Sequence, residues 1–279
     1  MSINWFPGHM AKSIRLIKES LALVDVVIEL LDARIPGSSR NPEIGVLANG
    51  KKLLVALSKA DLADPGASEQ WKRHYESQGI KVALLDSLTG KGVDKMAEAC
   101  RELCKDKIER QKARGRLFVP VRAMIAGVPN AGKSTLINRY AGKAITKTED
   151  RPGVTRAKQW IRIKKDLDLL DTPGLLWPKI EDPAAGVKLA ITGAIRDETL
   201  DLPELSRKLI EMLQAMYPGA LKGRYQIEGT GKSAQVVEDI ARARGFLLKG
   251  GECDTDRASI VLLDEFRAGK LGRITLERP

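Results

Sequence analysis

A chain of 279 residues with 43% hydrophobic and 30% charged residues holds enough apolar material for a packed core, which excludes a disordered or fibrous chain. Its 47 Lys and Arg against 36 Asp and Glu leave a net charge of +11, an excess that favours a polyanionic partner, nucleic acid foremost, through counterion release. The longest apolar stretch, LALVDVVIELLDA, is interrupted by Asp25 and Glu29 and falls short of the ~20 apolar residues a membrane-spanning helix requires. No secretory signal is legible at the N-terminus, so the expected location is the cytoplasm, with no membrane partner. Cys100, Cys104 and Cys253 are odd in number and lack a second Cys/His pair, which reads as reduced thiols rather than a zinc site.

In chain order, Met10 to Leu23 places Ile14, Ile17 and Leu21 on one face of an amphipathic helix. DVVIELLDAR (25–34), KKLLVALSKAD (51–61) and KVALLDS (81–87) read as buried strands, separated by helix-like segments near Pro42 to Ala48 and Ser68 to Ser77. This alternation predicts parallel pairing with right-handed crossovers. One long helix is expected over Val93 to Ala113, ending in the basic stretch KDKIERQKARGR. The strand VRAMIAGV (121–128) then leads through a Gly-rich loop into a helix from Lys133 to Tyr140. QWIRI (159–163) and LDLLD (167–171) should form an antiparallel hairpin. Beyond Pro178 the pattern turns helical, over 202–217, 233–245 and 255–269.

The loop itself, GVPNAGKS from Gly127 to Ser134, fits G-x-x-x-x-G-K-[ST] between a predicted strand and a predicted helix, the context in which that motif cradles phosphates. Asn130, Ala131 and Gly132 lie in the cradle, Lys133 adds a formal charge, Ser134 offers a hydroxyl to Mg2+, and Thr135 follows it into the helix. The base is suggested elsewhere. SKAD, comprising Ser58, Lys59, Ala60 and Asp61, resembles the guanine-specificity motif N-K-x-D, in which the aspartate accepts hydrogen bonds from the guanine N1 and N2 edge; Ser58 departs from the usual asparagine. DSLTGKG (86–92), with Asp86, Ser87 and Leu88, resembles the fifth GTPase motif. PGVT resembles switch I, with Thr155 as a Mg2+ ligand, and DTPG resembles switch II, with Asp171 behind the metal and the Gly174 N–H facing the γ-phosphate.

The order of these motifs departs from that of ordinary small GTPases. There the guanine motifs follow the phosphate loop, whereas here they precede it, so the chain reads as circularly permuted with its cut just after switch II. Permutation changes connectivity without changing which segments meet in space. The expected architecture is therefore α/β: a circularly permuted P-loop GTPase domain with an N-terminal helix over 1–178, a linker over 179–200, and a small, mainly α-helical domain over 201–279.

With that order and NWFPGHMAKS at its start, the sequence resembles the ribosome biogenesis GTPase A family of permuted GTPases. The resemblance implies GTP hydrolysis, a helical RNA-binding C-terminal domain, and action on the large (50S) ribosomal subunit through rRNA and ribosomal proteins, with the particle stimulating turnover. It also bears on a gap in switch II. Where many GTPases carry the glutamine that orients the attacking water, this chain has Leu175. The family implies two substitutes, the histidine of PGHM, here His9, and a K+ ion coordinated through the phosphate-loop asparagine, here Asn130. For Asn130 a turn-forming role is an equal alternative. A pure rRNA-binding scaffold with GTP as a structural ligand is the competing function. The basic stretch 105–116 and Lys222, Arg242, Arg244, Lys249, Arg267 and Lys270 are candidate rRNA contacts, although charge on a helix is more often a solvated face.

Overall fold

The computed structural model describes residues 18–48, 50–140, 160–164, 166–171, 180 and 182–279. His9, Thr155, Gly174 and Leu175, together with most of the N-terminal helix expected from Met10, lie outside the described residues.

The strands β1 (Val26–Asp32), β2 (Lys52–Ser58), β3 (Lys81–Leu84), β4 (Val121–Ala126), β5 (Trp160–Lys164) and β6 (Leu167–Asp171) form one sheet in the order β3-β2-β1-β4-β6-β5. All neighbours are parallel except the β5–β6 hairpin. Strands covered on both faces need continuous apolar sequence, and every residue of β1 is buried. Helices α1 (Pro42–Ala48), α2 (Pro65–Ser77), α3 (Val93–Leu103), α4 (Lys105–Ala113) and α5 (Lys133–Tyr140) occupy the connections. The chain winds from β1 outward through β2 to β3, and then β4 returns to the other side of β1. That reversal makes the β1/β4 boundary the topological switch point, where ligands of open α/β sheets bind beyond the carboxyl ends of the strands.

The single helix expected over 93–113 divides at Cys104, whose φ of −104° and ψ of 12° leave the α-helical region. The two halves face different environments. α3 buries Val93, Met96, Ala97 and Cys100, whereas α4 buries no residue fully and is left as a charged outer helix. Both halves are helical in propensity, and only α3 has a full apolar stripe to hold it on the sheet.

Helices α6 (Pro183–Ile191), α7 (Leu202–Met216), α8 (Ala220–Tyr225), α9 (Ser233–Arg244) and α10 (Thr255–Arg267) follow. α6 and α8 were not anticipated. α6 starts at an Asp182 cap that accepts the Ala184 N–H, with Pro183 at its first position. Its Leu189, Ala190 and Ile191 are buried in the same apolar cluster as β1 Val26 and Ile28, α7 Leu209 and α10 Leu262. One core therefore runs from the sheet into the C-terminal helices.

Within β1 two residues break the apolar rule, Asp32 at its end and Glu29 in its middle. Glu29 is 1% exposed, accepts the Asn41 N–H at 2.9 Å, and lies 3.7 Å from the Arg40 guanidinium. Burial pushes its carboxyl up to about 7, against the opposing pull of the Asn41 N–H and Arg40. The folded state thus holds this proton more tightly than the unfolded chain, and stability falls as pH rises from about 4.5 to about 7. Glu29→Gln keeps an acceptor for Asn41 but removes the titration. Thermal melts should show the variant ~2–4 °C above wild type at pH 8, a gain of ~1 kcal/mol in a chain of this size, and no such gain at pH 5. An equal difference at both values would show that Glu29 does not titrate in this range.

Candidate nucleotide site

The loop after β4 crosses directly over β1. A Cβ on Gly127 would stand 2.3 Å from the Leu30 carbonyl oxygen, so only glycine lets the loop pass. Asn130 and Gly132 follow with φ of 58° and 96°, the left-handed turns that aim successive backbone N–H groups into a concavity suited to an anion. The Lys133 ammonium arches back over this loop and donates to Gly127 O and Val128 O, both at 2.9 Å. Ser134 and Thr135 occupy the first turn of α5, where helix N–H groups lack intrahelical acceptors.

Three motifs distant in sequence meet beside Gly132. Ser58, at the end of β2, is level with Asp32 in the sheet register and shares a 2.8 Å hydrogen bond with Ser87. A Cβ on Gly132 would lie 2.8 Å from the Ser58 hydroxyl and 3.2 Å from that of Ser87. The short Ser58 side chain, fully buried, therefore braces the phosphate loop against the fifth motif. Ala60 donates its N–H to Leu85 O at 3.0 Å, tying the loop after β2 to the one after β3. Asp61 is exposed on that loop.

Asp86 has a local job. Its carboxylate accepts the Leu88 and Thr89 N–H groups at 2.9 and 3.1 Å and the Thr89 hydroxyl, which shapes the loop and leaves the Leu88 side chain exposed. Burial would raise its carboxyl, but these donors hold it below the usual range. Arg139, at the far end of α5, donates to Leu88 O at 2.6 Å. Sequence reading missed this residue because a lone arginine carries no sign of a backbone carbonyl partner 51 residues earlier in the chain.

Lys59, with φ of 56°, pairs with Asp32 at 3.0 Å. Asp32 also binds Arg34 through both carboxylate oxygens, at 2.9 and 2.8 Å. Burial favours its neutral form, yet the Arg34 and Lys59 cations outweigh it and hold the carboxyl far below the usual range. Arg34 in turn donates to the Arg267 carbonyl at 3.2 Å. The end of β1 thus links the loop after β2 to α10, a connection that DAR carries and that sequence reading did not single out.

A cleft of about 820 Å³ opens at the phosphate loop. One wall is Asn130 and Gly132 to Thr135; the other comes from the C-terminal helices through Thr192, Gly193, Arg196 and Arg267. The walls touch where the Asn130 amide donates to Gly193 O at 2.6 Å. Arg267 holds the second wall together by bonds to Ala190 O and Ile191 O, each 3.0 Å, and by two bonds to Asp197. Its charge is engaged internally, as is that of Arg244 with Glu265, which weakens these two as rRNA contacts; Arg242 remains exposed in weak surface pairs with Glu238 and Asp239.

For a metal, the described residues contain no cluster of three His, Cys, Asp or Glu side chains. Mg2+ takes one or two protein oxygens and completes its shell with phosphate and water, so it needs no such cluster. Ser134 supplies such an oxygen in the cleft, and the Asp171 backbone ends β6 opposite Ile125 of β4, immediately before the phosphate loop. Among the described residues no helix is long and apolar enough to cross a membrane.

A phosphate loop at the switch point of a mostly parallel sheet, with the SKAD and DSLTGKG loops set beside it from strands earlier in the chain, defines a P-loop GTPase of circularly permuted order, an enzyme that hydrolyses GTP to GDP and phosphate. Comparison with known proteins narrows this class. Residues 122–214 match the family model described as 50S ribosome-binding GTPase. The chain is 45% identical over 280 residues to ribosome biogenesis GTPase A of Bacillus licheniformis, covering all of this chain and 99% of that one. It is 31% identical to the Thermotoga maritima protein of the same name, covering 99% and 95%. A structure of T. maritima YlqF with bound GNP superposes with a TM-score of 0.68 at 28% identity over 96% of this chain and 98% of that one; a GDP-bound YlqF structure gives 0.68 at 29% over 95% and 99%. This chain belongs to the ribosome biogenesis GTPase A family.

Proposed function

We propose that the chain is a cytoplasmic assembly factor for the large (50S) ribosomal subunit, which docks on the immature particle through rRNA and ribosomal proteins with GTP bound and leaves after a hydrolysis step that the particle accelerates. The observation that carries this reading is the second wall of the cleft. The connecting segment touches the phosphate loop through the Asn130–Gly193 hydrogen bond of 2.6 Å and is tied to α10 by Arg267, so a surface docked on RNA and the nucleotide are joined by a chain of contacts through which each biases the other. The family's name, its 50S-binding description and the net charge of +11 support the same partner.

In this reading residues 1–178 form the GTPase domain, 179–200 connect it, and 201–279 bind RNA. Asp61 selects guanine; Ser58, Lys59, Ala60, Asp86, Ser87 and Leu88 shape and line the base pocket. Asn130 to Thr135 hold the phosphates, with the Lys133 ammonium leaving the carbonyls of Gly127 and Val128 for phosphate oxygens. Ser134, Thr155 and Asp171 hold Mg2+, which when bound neutralises charge on the β- and γ-phosphates. Gly174 gives its N–H to the γ-phosphate, and His9 orients the water that Leu175 cannot. Asn130 turns its amide nitrogen to Gly193, which leaves its oxygen for a K+ ion at the phosphates.

Multiple-turnover GTP hydrolysis titrated with purified 50S particles, in K+ and in Na+, tests this. Turnover should rise by about an order of magnitude or more with particles, and more in K+, in line with the 10³–10⁵-fold available from added transition-state charge. A flat titration would leave the scaffold reading, favoured by Leu175, with GTP as a structural ligand.

A further inference from the structure

The last residues of the chain lie against the loop that carries Asp61. The Arg273 guanidinium donates to Ala60 O at 2.8 Å and to Ala63 O at 3.0 Å, and the Ile274 N–H donates to Leu62 O at 3.0 Å. Thr275, fully buried, donates to Ala33 O at 3.1 Å and accepts the Asp64 N–H at 3.2 Å. The Leu276 N–H reaches Arg34 O at 2.8 Å. Glu277 closes the strap, accepting the Ser38 N–H and hydroxyl at 2.9 and 2.6 Å, the Lys188 ammonium at 3.0 Å, and the Gly37 N–H.

These contacts bear on one geometric problem. The Asp61 side chain is exposed, so its direction depends on the peptide groups on either side of it. The Ala60–Asp61 peptide is fixed by Arg273 at the Ala60 oxygen, while the Ala60 nitrogen is fixed by Leu85 O. The peptide following Leu62 is fixed by Ile274. A carboxylate that must meet two donors on one base edge gains affinity from such preorganisation. We propose that the C-terminal strap, residues 273–277, is a working part of the guanine site, and that Arg273 is a positioning residue that aims Asp61 at the base.

This inference rests on Asp61 as the guanine contact, and the test separates the two. Fluorescent GDP and IDP are titrated against the full chain; IDP lacks the 2-amino group and so one of the two donors that Asp61 accepts. Wild type should prefer GDP. Arg273→Ala should lower that preference about fivefold, chiefly by weakening GDP, with Arg273→Lys restoring part of it and the nucleotide-free melting temperature nearly unchanged. Arg278→Ala, which removes an arginine of the same tail bound instead to Asp64 and Tyr217, should leave the preference intact. Equal binding of GDP and IDP by wild type would overturn the Asp61 reading itself. A wild-type preference that persists in Arg273→Ala, or equal weakening of both nucleotides, would overturn the positioning role alone.

Discussion

Asp61→Asn should convert the protein from a guanine to a xanthine binder. A carboxylate accepts from both the N1–H and the 2-amino group of guanine; a carboxamide sets its own N–H donors against the amino group and leaves that buried donor unmatched. Charge-assisted hydrogen bonds contribute ~1.5–3 kcal/mol each, and an unpaired buried donor adds a similar cost, so GDP affinity should fall by about 10²–10³-fold. Xanthine carries an oxygen where guanine carries the amine, which restores a donor–acceptor match with the asparagine. XDP affinity should therefore rise as GDP affinity falls. The loop should survive the change, because the exposed Asp61 side chain is not what holds it: Ser58 is bonded to Ser87, and Ala60 to Leu85 and Arg273. Titration with fluorescent GDP and XDP reads both arms, and a variant that keeps its preference for GDP would remove Asp61 from the base pocket.

The bonds that brace that loop show which parts of the site a sequence can disclose. Parallel strands buried on both faces announce themselves as apolar runs, and β1, β2 and β4 lie within the residues predicted for them. GVPNAGKS is legible because its glycines answer local demands, the close passage of Gly127 over Leu30 O and the left-handed turn at Gly132. The braces between motifs are different in kind. Arg273 is separated by more than 200 residues from the carbonyls it binds, and backbone acceptors leave no trace in side-chain identity. The same holds for Arg139 on Leu88 O and for Arg34 on Arg267 O. Arg267 shows the converse. As a basic residue in a basic chain it reads as an RNA contact, but the fold turns it inward onto Asp197 and the end of α6. Helix α6 was missed for a related reason, since Pro183 and Gly186 look like linker residues until the Asp182 cap and the buried Leu189 and Ile191 give the segment a start and a packing face.

His9→Ala should separate binding from hydrolysis. An aliphatic residue at position 175 cannot accept a hydrogen bond from water, so the attacking nucleophile requires a polar group from another segment. Of the two histidines in the chain, His74 is a half-buried residue of α2 whose ring contacts Trp71, Tyr75 and Gln78. The proposed water-positioning role falls to His9, near the start of the sequence. A group that positions or deprotonates the nucleophile typically contributes 10²–10⁴-fold to rate while adding little to ground-state affinity. The variant should therefore bind GTP within about twofold of wild type and lose about 10²-fold in turnover at saturating 50S particles. Pelleting with 50S in the presence of a non-hydrolysable GTP analogue distinguishes this from failed docking, because a water-positioning histidine predicts undiminished association. Unchanged turnover would assign the water to another group, and loss of association together with turnover would make His9 a contact to the particle. Only retained binding with lost turnover matches a chain that recognises GTP by its own fold and leaves the last polar group of the reaction to be brought over the γ-phosphate on the ribosome.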